Sequence, residues 1–189
     1  MITRLTAAAG LLALSTGLAL AQTPTATPAE PATKADSNMK EWQVAKVAKV
    51  GLAQALATAE SQGDEKGGRA IDADFEKADS KDPAHYAIKV VYPSGKLVEY
   101  GINADTGALY KTENQPIERY FTRLKASDFQ NAKTSLKDAL AIAEQKAGGG
   151  KAYEAEVEKD GSAVQYEIKV AGDDKEQEIK VGPDGKVLN

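Results

Sequence analysis

Residues 68–77 read GRAIDADFEK and residues 150–159 read GKAYEAEVEK, one decapeptide written twice. In each copy a glycine and a base are followed by strict alternation. Ile71, Ala73 and Phe75 (Tyr153, Ala155 and Val157) fall on one face; Asp72, Asp74 and Glu76 (Glu154, Glu156 and Glu158) fall on the other. A period of two with one apolar face describes a strand half buried against a core. Its duplication predicts a repeated unit.

The repetition extends on both sides of the decapeptide. Upstream, Ala48–Glu60 (AKVGLAQALATAE) and Ala132–Glu144 (AKTSLKDALAIAE) agree at eight of thirteen positions. Leu52, Ala55, Leu56 and Ala59 recur at helical spacing, as do Leu136, Ala139, Leu140 and Ala143, so each segment predicts a helix with one apolar stripe. Ser135 with Asp138 three residues on suggests a cap that Gly51 cannot supply. Downstream, Tyr86–Val90 and Tyr166–Val170 share Y-x-I-K-V, and third strands are expected near 96–102 and 175–181. Each ends in a turn, at 103–107 or 182–185, before a last short strand. The predicted fold is α+β: two tandem repeats, each an α-helix packed on a small antiparallel sheet of three to four strands.

The flanks differ in kind. Residues 1–21 have one base, Arg4, an apolar run and a closing Ala19-Leu20-Ala21, which reads as a cleaved signal peptide. Residues 22–41 form a flexible Pro/Thr/Ala linker, with a short amphipathic helix expected near 39–47 on Trp42 and Val47. Repeat 1 is placed at 42–112, a connector helix at 113–131 and repeat 2 at 132–189. No later stretch has the ~20 apolar residues of a membrane span, so a secreted, periplasmic or extracellular protein without stable membrane insertion is expected. The formal charge is −4, and loss of Arg4 with the signal leaves about −5, with signs interspersed along the chain. That balance argues against nucleic acid as a partner. The absence of cysteine excludes disulfides and thiolate metal sites.

The order of Ala-rich helix, acidic-edged strand, Y-x-I-K-V, further strand and D-x-G or D-G turn resembles the PepSY domain, here present twice. The resemblance implies an extracytoplasmic, non-catalytic module without cofactor. Such a module would bind an envelope or secreted protein in trans, inhibiting or regulating a peptidase. An envelope structural or stress-related binding protein with no peptidase target is the alternative.

Candidate functional residues are few. In the connector, Pro116 opens a helical stripe of Ile117, Tyr120, Phe121 and Leu124. Tyr120 and Phe121 have two fates open to them, packing into the joint between repeats or forming a partner-binding ridge. Asp105 in the sequence INADTGA resembles the active-site loop of aspartic peptidases, a remote enzymatic alternative, but repeat 2 has Gly182-Pro183-Asp184-Gly185 at the matching place. The acidic stripes suggest calcium, yet carboxylates two apart on a strand stand nearly 7 Å apart, and Lys89 and Lys169 are the expected neighbours. His85 is the only histidine and is expected at the surface, so no His-based metal or triad chemistry is proposed. Gly148-Gly149-Gly150 leaves a helix instead of opening one and is no phosphate loop.

Overall fold

Four helices and eight strands alternate along the chain in the computed structural model, which describes residues 38–188. The expected signal peptide, residues 1–21, and residues 22–37 of the expected linker lie outside the described residues. Helix α1 (Glu41–Val47) leads into repeat 1, which contains α2 (Leu52–Glu60), β1 (Arg69–Glu76), β2 (His85–Val91), β3 (Leu97–Asn103) and β4 (Leu109–Asn114). Helix α3 (Pro116–Phe121) and a 3-10 turn (Ala126–Asn131) connect to repeat 2, with α4 (Leu136–Lys146), β5 (Lys151–Asp160), β6 (Ala163–Ala171), β7 (Glu176–Val181) and β8 (Val187–Leu188). Each repeat is thus a helix on four antiparallel strands. The connector is two short helical segments joined by extended chain, because Thr122 and Lys125 both adopt β conformation.

The two small sheets are one. Strand order is β4-β3-β2-β1-β5-β6-β7-β8, every neighbour antiparallel, and the join is the duplicated decapeptide pairing with its own copy. Ala73 stands opposite Ala155 and Asp72 opposite Glu156. Ala73 and Ala155 occupy the same place in the two copies, so a local two-fold axis passes between them. Helices α2 and α4 lie side by side on the apolar face, α2 over β1, β2 and β3 and α4 over β5, β6 and β7.

Three duplicated contacts explain why these residues recur. The buried Tyr86 hydroxyl donates to the Val50 carbonyl at 2.9 Å, and Tyr166 donates to the Thr134 carbonyl at 2.6 Å. The same lead-in residues donate backbone N–H to the last turn of their repeat, Val50 to Ala104 and Thr134 to Pro183. These bonds tie residues 50 and 134 to the sheet outside the helices, so each helix begins about four residues after the recurring segment does. At the far end, Glu60 accepts from the Ala70 N–H at 3.0 Å and Glu144 from the Ala152 N–H at 2.9 Å, clipping helix to strand. Ala55, Ala59, Ala139 and Ala143 are fully buried, and their small side chains let helix and sheet approach closely. Ser135 caps α4 by accepting from the Asp138 N–H, while Gly51 gives α2 no side-chain cap.

Gly68 and Gly150 open the paired strands for a steric reason. A Cβ on Gly68 would stand 2.7 Å from the Tyr92 ring and 2.8 Å from Val90, and one on Gly150 2.7 Å from Val170. Immediately after them both strands bulge, between Ala70 and Asp72 and between Ala152 and Glu154. The bulge corrects the expected alternation at its first step. Tyr153 sends its hydroxyl to Glu176 on β7, and Ile71 lines a recess with Lys89, Glu118 and Leu124, so both side with the polar face. Strict alternation runs from Asp72 and Glu154 onward.

In α1 the buried residues are Val44 and Ala45, with Trp42 packed beside them, and Val47 is exposed. Five residues on from Trp42 is ~140° around a helix, which turns Val47 away from the sheet. The helix crosses the ends of β1, β5 and β6. Lys46 pairs with Asp173 at 2.8 Å, Lys77 donates to the Met39 carbonyl at 2.8 Å, and Lys151 donates to the Ala48 carbonyl.

Replacing Tyr86 with Phe leaves the buried Val50 carbonyl without its donor. Urea unfolding is expected to show a loss of about 1–2 kcal/mol with an unchanged slope. Because one sheet spans both repeats, the loss should appear in a single transition.

Candidate functional site

The polar face at the join concentrates charge. Pairing β1 with β5 sets the two acidic stripes side by side, placing Asp72, Asp74, Glu154, Glu156 and Glu167 around one shallow recess with Lys169. Like charges opposite one another on a sheet are destabilising, and two lysines answer them. Lys89 lies 3.5 Å from Asp72 and 2.9 Å from Glu118 of α3, and Lys169 lies 2.8 Å from Glu154. These are the lysines of the two Y-x-I-K-V segments, in the neighbourhood expected of them. Burial lowers the Lys89 pKa, but the hydrogen bond to Glu118 and the charges of Asp72, Glu118 and Asp74 outweigh it and hold the ammonium above its ordinary value.

Asp74 absorbs the remaining strain. Burial first, then the charge and hydrogen bond of Asp72 and the charge of Glu154, push its carboxyl up to about 8. A carboxyl raised this far retains its proton near neutrality. Asp72 Oδ1 is buried and has no hydrogen-bond partner. Burial, then Asp72, likewise raises Glu156. Among the described residues no set of three or more His, Asp or Glu side chains is placed to hold a metal ion.

The second feature is the connector. Gln115 donates to Glu99, Glu118 pairs with Lys89, and Arg119 donates to the carbonyls of Gly95, Thr122 and Leu124, so α3 is held by its polar residues. Its apolar residues face outward: Ile117, Tyr120 and Phe121 are 78%, 87% and 72% exposed. Spaced i, i+3 and i+4, they share one helix face, and the two rings meet edge to face with centroids 5.4 Å apart. Of the stripe expected to be apolar, only Leu124 is buried. Tyr120 and Phe121 do not pack into the joint between repeats.

The other candidates fall away from this face or serve its frame. Asp105 sits in a turn in which Asn103 accepts from the N–H groups of Asp105 and Thr106, both at 2.9 Å, and Lys49 lies 3.9 Å from its carboxylate. Asp184 is in the β7–β8 turn, bonded to Lys186 at 2.6 Å. From β3 to β7 is five strand spacings, roughly 24 Å, so one chain cannot bring the two turns into a carboxyl dyad. His85 is buried, contrary to expectation. Its Nδ1 donates to the Pro83 carbonyl at 2.8 Å, Glu76 lies 3.3 Å from Nε2, and Tyr110 stands edge-on at 5.0 Å. It closes the end of the β1–β2 hairpin. The Asp173-Asp174 turn joins β6 to β7, with Asp173 engaged by Lys46.

The family whose pattern matches is described as the peptidase propeptide and YPEB domain, PepSY, and it matches twice, over residues 49–113 and 133–183. Those two regions cover more than half of the chain. The chain belongs to the PepSY family. Its two PepSY domains correspond to the two halves of the sheet, and the duplicated tyrosine and glutamate tethers described above are internal to each. No curated protein matches the sequence. Among solved structures, a candidate lipoprotein from Clostridium difficile 630 aligns over 65% of this chain and 81% of its own, at 24% identity and a TM-score of 0.39. Among the described residues of this PepSY protein, no helix is long and apolar enough to cross a membrane.

The sequence put Ile117, Tyr120 and Phe121 on one stripe without showing that it faces outward, and it missed the meeting of the acidic stripes. The signal for the second was present. Two copies of one half-buried strand can complete each other's edge, and the copies carry matching acidic faces.

The proton on Asp74 makes the fold sensitive to pH. Its carboxyl is raised from 3.8 when unfolded to about 8 when folded, so the native state binds the extra proton. Its stabilising contribution is full below about pH 4 and is lost as pH rises toward 8. Asp74→Asn is expected to remove this slope. In thermal scans its Tm should exceed the wild type by a few degrees at pH 8, about 1 kcal/mol, and match it near pH 4.

Proposed function

We propose that this PepSY protein is an exported, non-catalytic binding module that docks a peptidase of the cell envelope through the α3 ridge and restrains it. The observation that carries the reading is the exposure of Ile117, Tyr120 and Phe121 on a helix whose polar side chains bind the sheet. Aromatic residues are enriched at the centres of protein interfaces, and exposed ones cost free energy unless a partner covers them. The family's description as a peptidase propeptide supplies the class of partner. The predicted signal at residues 1–21 supplies the compartment.

Restraint requires only that the module occupy or cover the peptidase's substrate groove. Nothing in the proposal asks the chain to make or break a bond. A rigid sheet behind a short aromatic helix suits this task, since little ordering entropy is lost when it docks.

Purified protein should slow one or more members of a panel of secreted peptidases. The double variant Tyr120→Ser, Phe121→Ser should lose that inhibition by at least about tenfold while its thermal unfolding is unchanged. Inhibition that survives the double variant would remove the ridge from the interface. If no peptidase is slowed, but envelope proteins are crosslinked through the ridge, the module is a binding protein without a peptidase target.

A further inference from the structure

Beside the ridge, the connector and the β2–β3 turn enclose a recess of about 530 Å³, lined by Arg69, Arg119 and Lys125 together with Tyr92, Ser94 and Gln130. No acidic side chain lines it. This is unusual in a chain with 28 acidic residues against 24 basic ones. Elsewhere several lysines are answered by carboxylates, as in the pairs of Lys46, Lys89, Lys169 and Lys180, and others stand unpaired at the surface. Among the described residues Arg69, Arg119 and Lys125 form no ion pair, and neither does Arg123, which is exposed on the connector. One nearby acid is paired with a lysine, and another binds the backbone of the β2–β3 turn. Asp128 is engaged by Lys159 at 2.9 Å, and Glu65 accepts from the Ser94 N–H at 2.7 Å.

Arg119 fixes the shape of the recess. Its guanidinium is held by three carbonyls, of Gly95, Thr122 and Leu124, which orient the positive charge without neutralising it. The same residue ties α3 to the β2–β3 turn, so the helix that carries the ridge on its outer face also lines the recess on its inner one.

We infer that this recess is a carboxylate pocket, and that the segment docking on Ile117, Tyr120 and Phe121 is an extended peptide in which an acidic side chain accompanies apolar ones. The inference rests on the docking role proposed for the ridge and adds the charge of the partner. A concave recess lined by three cations with hydroxyl and amide donors suits a carboxylate. A lipid surface is the weaker fit, because the cations lie in a hollow and the chain's net charge is negative.

The test uses fluorescence anisotropy with two labelled octapeptides, one alternating Leu or Phe with Glu and the other carrying Gln in place of every Glu. The acidic peptide should bind the wild-type protein at least roughly tenfold more tightly than the Gln peptide. Arg69→Glu with Lys125→Glu should erase that preference, with far-UV circular dichroism and Tm confirming the fold. Tyr120→Ser with Phe121→Ser should weaken both peptides alike. Equal binding of the two peptides, or a preference that survives the charge reversal, overturns the carboxylate pocket and leaves the ridge standing. Binding of neither peptide overturns the pocket, while the ridge is judged separately by peptidase inhibition. Binding to vesicles rich in phosphatidylglycerol that the charge reversal abolishes, with no peptide preference, assigns the cations to a lipid surface and also overturns it.

Discussion

Everything in this molecule depends on one strand pairing with its own duplicate. A four-stranded sheet carrying a single helix has two edges and a small core, and an unpaired edge exposes a row of unsatisfied N–H and C=O groups. Pairing β1 with β5 removes one edge from each repeat and doubles the sheet. It also lets α2 and α4 share an apolar layer. The geometry is fixed by Ala73 opposite Ala155. A shift by two residues would only move the local two-fold to another pair of equivalent positions, but a shift by one would turn one strand's acidic stripe toward the core.

The same pairing creates the molecule's main electrostatic problem. Two faces that are harmless on separate domains become one acidic patch when the strands meet, and the chain answers with Lys89, Lys169 and a proton on Asp74. Glu118 joins this network from α3, so the connector that carries the ridge is anchored to the charge cluster at the join. The link between the repeats and the proposed docking surface is therefore a physical contact, through the Lys89 ammonium. A partner that engages α3 meets a helix whose position is set by the centre of the sheet.

Much of the fold was legible because the duplicated residues are structural. Tyr86 and Tyr166, Glu60 and Glu144, and the small alanines of α2 and α4 recur because each makes the same tether or close approach in both repeats. What escaped was non-local. Alternation shows that β1 and β5 each have a buried face, but not which strand lies at each edge. The bulges at Ile71 and Tyr153 are invisible to a period of two. His85 looked like a surface residue because its neighbours Pro83 and Glu76 become a cage only when the hairpin closes. In the connector, spacing gave the stripe of Ile117, Tyr120, Phe121 and Leu124 but not which way it turned. That was decided by Arg119 and Glu118, whose bonds to Gly95 and Lys89 cross long stretches of chain.

The central claim is that the two PepSY repeats share one sheet through the β1–β5 join, and nuclear Overhauser spectroscopy of the isotope-labelled protein reads it directly. Cross-strand contacts between backbone protons of Ala73 and Ala155, and of Asp72 and Glu156, are the predicted result. Contacts confined to the strand pairs within each repeat, with none linking residues 72–73 to 155–156, would contradict it.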